Sequence, residues 1–131
     1  MVERSKDWLD QAEWDLKHAK NDVEYGFYDW ACFSAQQSAE KALKAVFQKM
    51  GAEAWGHSVY DLLVNLKERL NVNEKLIDYA LELDKAYIPT RYPNAHPSSS
   101  PRRRYTRMEA ERMIGYAEEI LRLCKDILSK I

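Results

Sequence analysis

Asp29-Trp-Ala-Cys-Phe-Ser-Ala-Gln-Gln-Ser-Ala-Glu-Lys-Ala-Leu-Lys-Ala-Val-Phe-Gln-Lys-Met50 is the stretch that decides the fold class. Ala31, Ala35, Ala39, Ala42, Val46 and Met50 recur at steps of three and four, which puts them on one side of a helix; Phe33, Leu43 and Phe47 widen the stripe. So broad an apolar face needs several neighbours, and its alanines let another helix approach closely. The segment is therefore expected to be the central helix of a bundle. Gly51, directly after it, can take the left-handed conformation that ends a helix without a Cβ penalty.

Working outward, residues 5 to 24 place Trp8, Leu9, Ala12, Leu16, Ala19 and Val23 on one face of a first helix, stopped near Gly26. Ser58 with Asp61 resembles an N-terminal cap for a third helix whose apolar face is Val59, Leu62, Leu63, Leu66 and Leu70. Asn71 and Asn73 mark a turn, and a fourth helix is expected over 74 to 87, until Pro89 removes a donor and restricts the residue before it. Thr106 and Glu109 form a Thr-x-x-Glu capping box for a last helix that buries Met113, Ala117, Ile120, Cys124, Ile127 and Ile131. No strand pattern competes. Short connections predict an all-α, antiparallel up-and-down four-helix bundle with an additional helix and a long Pro/Arg-rich loop before the C-terminal helix. Its expected core takes Trp8, Leu16, Ala35, Leu43, Phe47, Leu63, Leu66, Ile120 and Ile127.

Composition agrees with this reading. A chain of 131 residues with 46% hydrophobic and 31% charged residues and four glycines is expected to be one helical domain, residues 1–131, with one core. Its apolar runs are too short to span a bilayer, and Met1 to Asp10 has no apolar stretch of the secretory kind, so the expected compartment is the cytoplasm. Cys32 and Cys124 lie far apart among apolar neighbours and read as buried free thiols. There is no Glu-x-x-His pair of the kind that builds di-iron sites in other bundles, and neither metal nor cofactor is expected.

Tyr87-Ile-Pro-Thr-Arg-Tyr-Pro-Asn-Ala-His-Pro-Ser-Ser-Ser-Pro-Arg-Arg-Arg-Tyr105 contains all four prolines. From Arg91 to Arg107 there are five arginines, one histidine and no acid, so this segment carries +5 in a chain of net charge −1, and the remainder carries −6. Arginines beside a histidine and tyrosines in a loop suit a phosphate-bearing ligand; the plainer alternative is a solvated linker whose charge serves solubility.

The order of Trp30 to Ala45, then His57-Ser-Val-Tyr-Asp-Leu-Leu63, then Tyr87-Ile-Pro-Thr-Arg-Tyr-Pro93 resembles the HEPN family of small helical domains. Gln37, Glu40, Lys41 and Lys44 with the later Arg-Tyr-Pro carry most of that resemblance. It implies a four-to-five-helix bundle, homodimerisation, and pairing with a small nucleotidyltransferase. Many members resemble one another in an Arg-x(4 to 6)-His motif tied to metal-independent RNA cleavage, which Arg91 and His96 satisfy at the shorter spacing. Pro93 and Pro97 predict that no continuous helix runs through it.

RNA cleavage without metal uses the substrate's 2′-hydroxyl as nucleophile, so the protein must supply proton transfer and a cation. Histidine, with an unperturbed pKa near ~6.5, does the first; arginine, always charged and bidentate, does the second. Arg91 and His96 are the expected catalytic pair, two copies of which a two-fold dimer would bring to one cleft. Arg102, Arg103, Arg104 and Arg107 are expected along the RNA backbone, and Tyr92 or Tyr105 under unpaired bases. Glu40, Lys41 and Lys44 read either as an exposed charged stripe or as the lining of a nucleotide cleft. His57 reads either as a polar support of the turn after Gly56 or as part of that cleft. His18, beside Lys17 and Lys20, reads as surface. Three functions remain open: an endoribonuclease acting as toxin of a toxin and antitoxin pair, a non-catalytic nucleotide-binding module, and an interaction module docking on a nucleotidyltransferase.

Overall fold

The computed structural model describes residues 2–131. Five helices follow one another: α1 (Ser5–Glu24), α2 (Tyr28–Lys49), α3 (Val59–Lys67), α4 (Glu74–Asp84) and α5 (Arg107–Lys130). No strand occurs among the described residues, as the periodicity predicts. The three long helices contain 20, 22 and 24 residues, or about 30–36 Å each at 1.5 Å rise per residue. α2 runs between α1 and α5, which also touch each other, while α3 and α4 pair as a short hairpin against α2 and α5.

The central place of α2 follows from its composition. Fourteen of its 22 residues are buried, against six of 20 in α1. Ala31, Ala35, Ala39 and Ala42 have no exposed surface, so neighbouring helices close directly onto the backbone of α2. Between them Leu43 and Phe47 meet Leu63, Leu66, Leu83 and Ile120, the largest apolar side chains in the core. Full burial of each such side chain is worth about 1.5–3 kcal/mol. Trp8 and Ile127, expected in this core, are only partly buried. Both lie near helix ends, where the partner helices no longer enclose them; Trp8 instead carries the Lys44 ammonium 5.6 Å from its ring. Cys32 and Cys124 are buried and free.

Helix boundaries follow local chemistry. Gly26 (φ +82°) and Gly51 (φ +69°) adopt the left-handed conformation at the ends of α1 and α2. Thr106 accepts the Glu109 N–H at 3.1 Å and so caps α5. α4 ends at Asp84 rather than Tyr87, because the N–H groups of Lys85, Ala86 and Tyr87 bond back only three residues, to Glu82, Leu83 and Asp84. That tighter winding is how the chain leaves the helix ahead of Pro89.

The proline-rich stretch is a hydrogen-bonded structure and not a solvated linker. Thr90, 1% exposed, donates its hydroxyl to the Ala86 carbonyl at 2.7 Å. Pro93–Ala95 and Pro101–Arg103 form 3₁₀ turns, each opened by its proline, and Pro101 is buried. No continuous helix passes through Arg91 and His96, as Pro93 and Pro97 predict.

Candidate functional site

The site is assembled from the end of α4 upward. Asp84 turns its carboxylate onto the first turn of α3, where it accepts the Ser58 hydroxyl at 2.8 Å and the N–H groups of Val59 and Tyr60 at 2.8 and 3.0 Å. A carboxylate there satisfies donors that no helical carbonyl reaches and meets the positive end of the helix dipole. Ser58 also accepts the Asp61 N–H at 3.0 Å, the cap expected from sequence. Buried Gln36 of α2 donates to Asp84 at 3.3 Å and to the His57 carbonyl at 2.7 Å. The backbone of His57 is thereby tied to the central helix.

The His57 ring lies against Glu40, with Nδ1 3.2 and 3.3 Å from the two carboxylate oxygens. Glu40 is 2% exposed. Its charge is tolerated in the interior because Lys44 Nζ approaches to 3.2 Å and the Gln37 amide donates at 3.2 Å. The exposed-stripe reading of Glu40, Lys41 and Lys44 is therefore corrected: the packing of α1 and the loop before α3 over this face buries Glu40 and half-buries both lysines. Lys41 pairs with Asp15 of α1 at 2.7 Å, away from Glu40, whereas Lys44 shares the carboxylate with His57.

Across its flat side His57 stacks on Tyr87, centroids 5.0 Å apart and planes 16° from parallel. Tyr87 adjoins Phe33, and Phe33 meets Trp30 edge-on, each at 6.1 Å. Arg91 lies on this row of rings, its guanidinium carbon 4.3 Å from the Phe33 centroid, 4.9 Å from Tyr87 and 5.4 Å from Tyr92. Nε and Nη2 donate to the Tyr87 carbonyl at 3.0 and 2.6 Å. A guanidinium has five N–H donors, so three remain for an anion. Aromatic contact and a double hydrogen bond hold the charge in one orientation.

His96 occupies other surroundings. Its Nε2 donates to the Pro89 carbonyl at 2.6 Å and its ring meets Tyr105 edge-on at 5.9 Å. It lines a groove of about 320 Å³ with Glu82, Lys85, Arg104, Tyr105 and Glu109. Burial, with the nearby Glu109 charge, pushes the Tyr105 hydroxyl up to about 12, so it stays neutral. No hydrogen bond, ion pair or ring contact joins Arg91 to His96 among the described residues. Arg91 faces α2, and His96 faces the start of α5.

The remaining basic residues divide by what they touch. Arg104 is committed to Ser98 and Ser99, at 2.7 to 3.1 Å. Arg107 pairs with Glu111 at 2.7 Å and approaches Glu24 at 4.0 Å. Arg102 and Arg103 are exposed, with no side-chain hydrogen bond or ion pair among the described residues. Tyr92 is 49% exposed beside Arg91. His18, expected at the surface, is half exposed but places Nδ1 2.9 Å from the Ser34 hydroxyl. Among the described residues no three His, Cys, Asp or Glu side chains converge as a metal site. The roles of Gln36, Phe33, Tyr87 and Asp84 went unread in the sequence. The one available signal was Gln36, Glu40 and Lys44 at successive steps of four along an otherwise buried helix.

Five helices with a buried polar cluster, and a guanidinium held on aromatic rings beside it, define a small all-helical domain. The chain belongs to the HEPN domain family, which matches residues 5–127. A protein of Methanocaldococcus jannaschii named "Putative toxin MJ1304" is 27% identical over 98% of this chain and 91% of its own length. Among solved structures, TT1696 from Thermus thermophilus superposes with a TM-score of 0.93 at 48% identity, covering 96% of this chain and 99% of that one. The HEPN domain protein TM0613 from Thermotoga maritima gives 0.79 at 59% identity, covering 95% and 98%. ST0689, an archaeal HEPN homologue, gives 0.81 at 38% identity with the same coverage.

Proposed function

We propose that this HEPN domain is a metal-independent endoribonuclease acting as the toxin of a toxin and antitoxin pair, with a nucleotidyltransferase as its partner. The observation that carries this reading is Arg91, clamped on three rings with three N–H groups to spare. That is a cation pre-oriented for a phosphate. Arg102 and Arg103, unengaged, extend the positive surface along an RNA backbone, and exposed Tyr92 offers a ring to an unpaired base. His96 transfers a proton, and a homodimer brings two copies of the Arg91 and His96 pair together. The relative named as a toxin supports the assignment.

The test is cleavage of a pool of unstructured RNAs in excess chelator. Cyclic phosphate ends are expected, and His96→Ala and Arg91→Ala should each lower the rate roughly a hundredfold or more with folding kept. No cleavage above the His96→Ala control sinks the reading. A second reading, a non-catalytic nucleotide- or partner-binding module, is favoured by the separate surroundings of Arg91 and His96. It predicts nucleotide-dependent shifts in melting temperature without bond cleavage.

A further inference from the structure

The pairing of His57 with buried Glu40 has no part in the reading above, and several neighbours support it. We propose that His57 is a proton-transfer residue working beside Arg91, and that Glu40 is its positioning residue. This role rests on the ribonuclease reading for its chemistry.

An ionised carboxylate only accepts hydrogen bonds, so Glu40 requires the proton of a neutral His57 to sit on Nδ1, 3.2 Å away. Nε2 then carries a free lone pair. Among the described residues Nε2 has no hydrogen-bond partner, and the His57 side chain is 58% exposed whereas that of Glu40 is 3% exposed. The ring is constrained from two directions, by Glu40 at Nδ1 and by Tyr87 on its face, while Gln36 fixes the backbone beneath it at the His57 carbonyl. Charge compensation alone does not account for this, because Lys44 and Gln37 already reach Glu40 at 3.2 Å each. A base aimed by a buried acceptor, with its second nitrogen left open, is the arrangement that proton transfer needs.

Tyr87 brings this base to the cation. Its ring stacks on His57, and the same ring and carbonyl hold Arg91. His96 is committed through Nε2 to Pro89 and faces the other side of the turn. In the reaction His57 Nε2 takes the proton of the RNA 2′-hydroxyl while O2′ forms a bond to phosphorus. The bond from phosphorus to O5′ breaks with its electron pair on O5′, which takes a proton from the imidazolium of His96 in the second copy of the dimer. Arg91 offsets the charge on the non-bridging oxygens. The products are a 2′,3′-cyclic phosphate and a 5′-hydroxyl, with no net oxidation.

The test uses the full chain and a fluorescein-labelled unstructured RNA oligonucleotide in excess chelator, with a 2′-O-methyl copy for binding. His57→Gln keeps an N–H for Glu40 but cannot transfer a proton. It should keep the wild-type melting temperature and affinity for the 2′-O-methyl RNA within about threefold, while cleavage falls roughly a hundredfold or more. Glu40→Gln offers donor and acceptor alike, so ¹⁵N spectra should show His57 change from a single Nδ1–H tautomer to a mixture, with a smaller loss of cleavage. His57→Gln cleaving like wild type, while His96→Ala does not, overturns this proposal and leaves the ribonuclease reading standing. A wild-type protein that cleaves no RNA overturns both. An unchanged His57 tautomer in Glu40→Gln removes the positioning role of Glu40.

Discussion

At Arg91 geometry matters as much as charge. Its guanidinium chelates the Tyr87 carbonyl through two N–H groups and lies flat on Phe33. A lysine ammonium is a point charge that cannot do both. Arg91→Lys is therefore expected not to rescue the site, with an RNA cleavage rate still lower than wild type by at least about tenfold, measured under single-turnover conditions. Asp22 presents the opposite case. It is 8% exposed, its Oδ2 accepts no hydrogen bond, and burial, with Asp29 adding, raises its pKa against the opposing pull of His18. A raised folded-state value means that the stabilising contribution is complete below the unfolded value and is lost as pH rises through the folded one. Asp22→Asn should accordingly stabilise the protein near neutrality by about 1 kcal/mol, with an advantage that vanishes in acid. Urea unfolding at several pH values measures this, and an Asp22→Asn protein less stable at pH 7 contradicts it.

At the scale of elements, the α3–α4 hairpin is where packing and site meet. Asp84 ends α4 and caps α3 with three hydrogen bonds, one helix supplying what the other lacks. Asp84→Ala should cost about 2–3 kcal/mol, since charge-assisted bonds to orphan N–H groups are lost together. It should also loosen the His57 ring, visible as exchange broadening of its imidazole signals. Thr106→Ala, which removes one cap bond from long, well-packed α5, should cost only about 1 kcal/mol. The Thr106 and Ser58 caps were legible because their partners lie three residues away. Asp84 was not, because Val59 lies 25 residues from it and only the docking of two helices brings them together.

At the scale of the molecule, the +5 segment divides into engaged and free charge. Replacing Arg102 and Arg103 together by alanine should weaken RNA binding for all sequences alike and lower the slope of its salt dependence by about 1.4. The same change at Arg104 and Arg107, already committed to Ser98, Ser99 and Glu111, should do less. Fluorescence anisotropy across a salt series separates the two pairs. Buried ionisable groups set an alkaline limit. Cys32 is pushed up to about 12 by burial first and by Glu109 and Asp29 next, Cys124 is pushed higher still by burial, and Tyr105 is pushed up to about 12. All three are neutral acids in the fold that ionise more readily when unfolded, so their contribution is complete below the unfolded values and is lost as pH rises toward the folded ones. Unfolding free energy should hold to about pH 8.5 and fall beyond it; a flat profile to pH 11 contradicts this.

The sequence by itself determined the five helices, the central position of α2, the burial of both cysteines and the break of helix between Arg91 and His96. Each depends on interactions within a few residues: the 3.6-residue period, a capping side chain, a proline without a donor. Tertiary structure alone decided which polar residues turned inward. Glu40 is a surface carboxylate by its own helix and a buried one once α1 and the turn before α3 close over it, and its link to His57 spans 17 residues. Arg91 and His96 stand five apart in the chain, but Pro93 and Pro97 leave side-chain direction to packing. Packing sends one to Phe33 and Tyr87 and the other to Pro89 and Tyr105. Chain spacing records distance along the backbone, whereas the direction of a side chain in a loop is settled by whichever distant surfaces it meets.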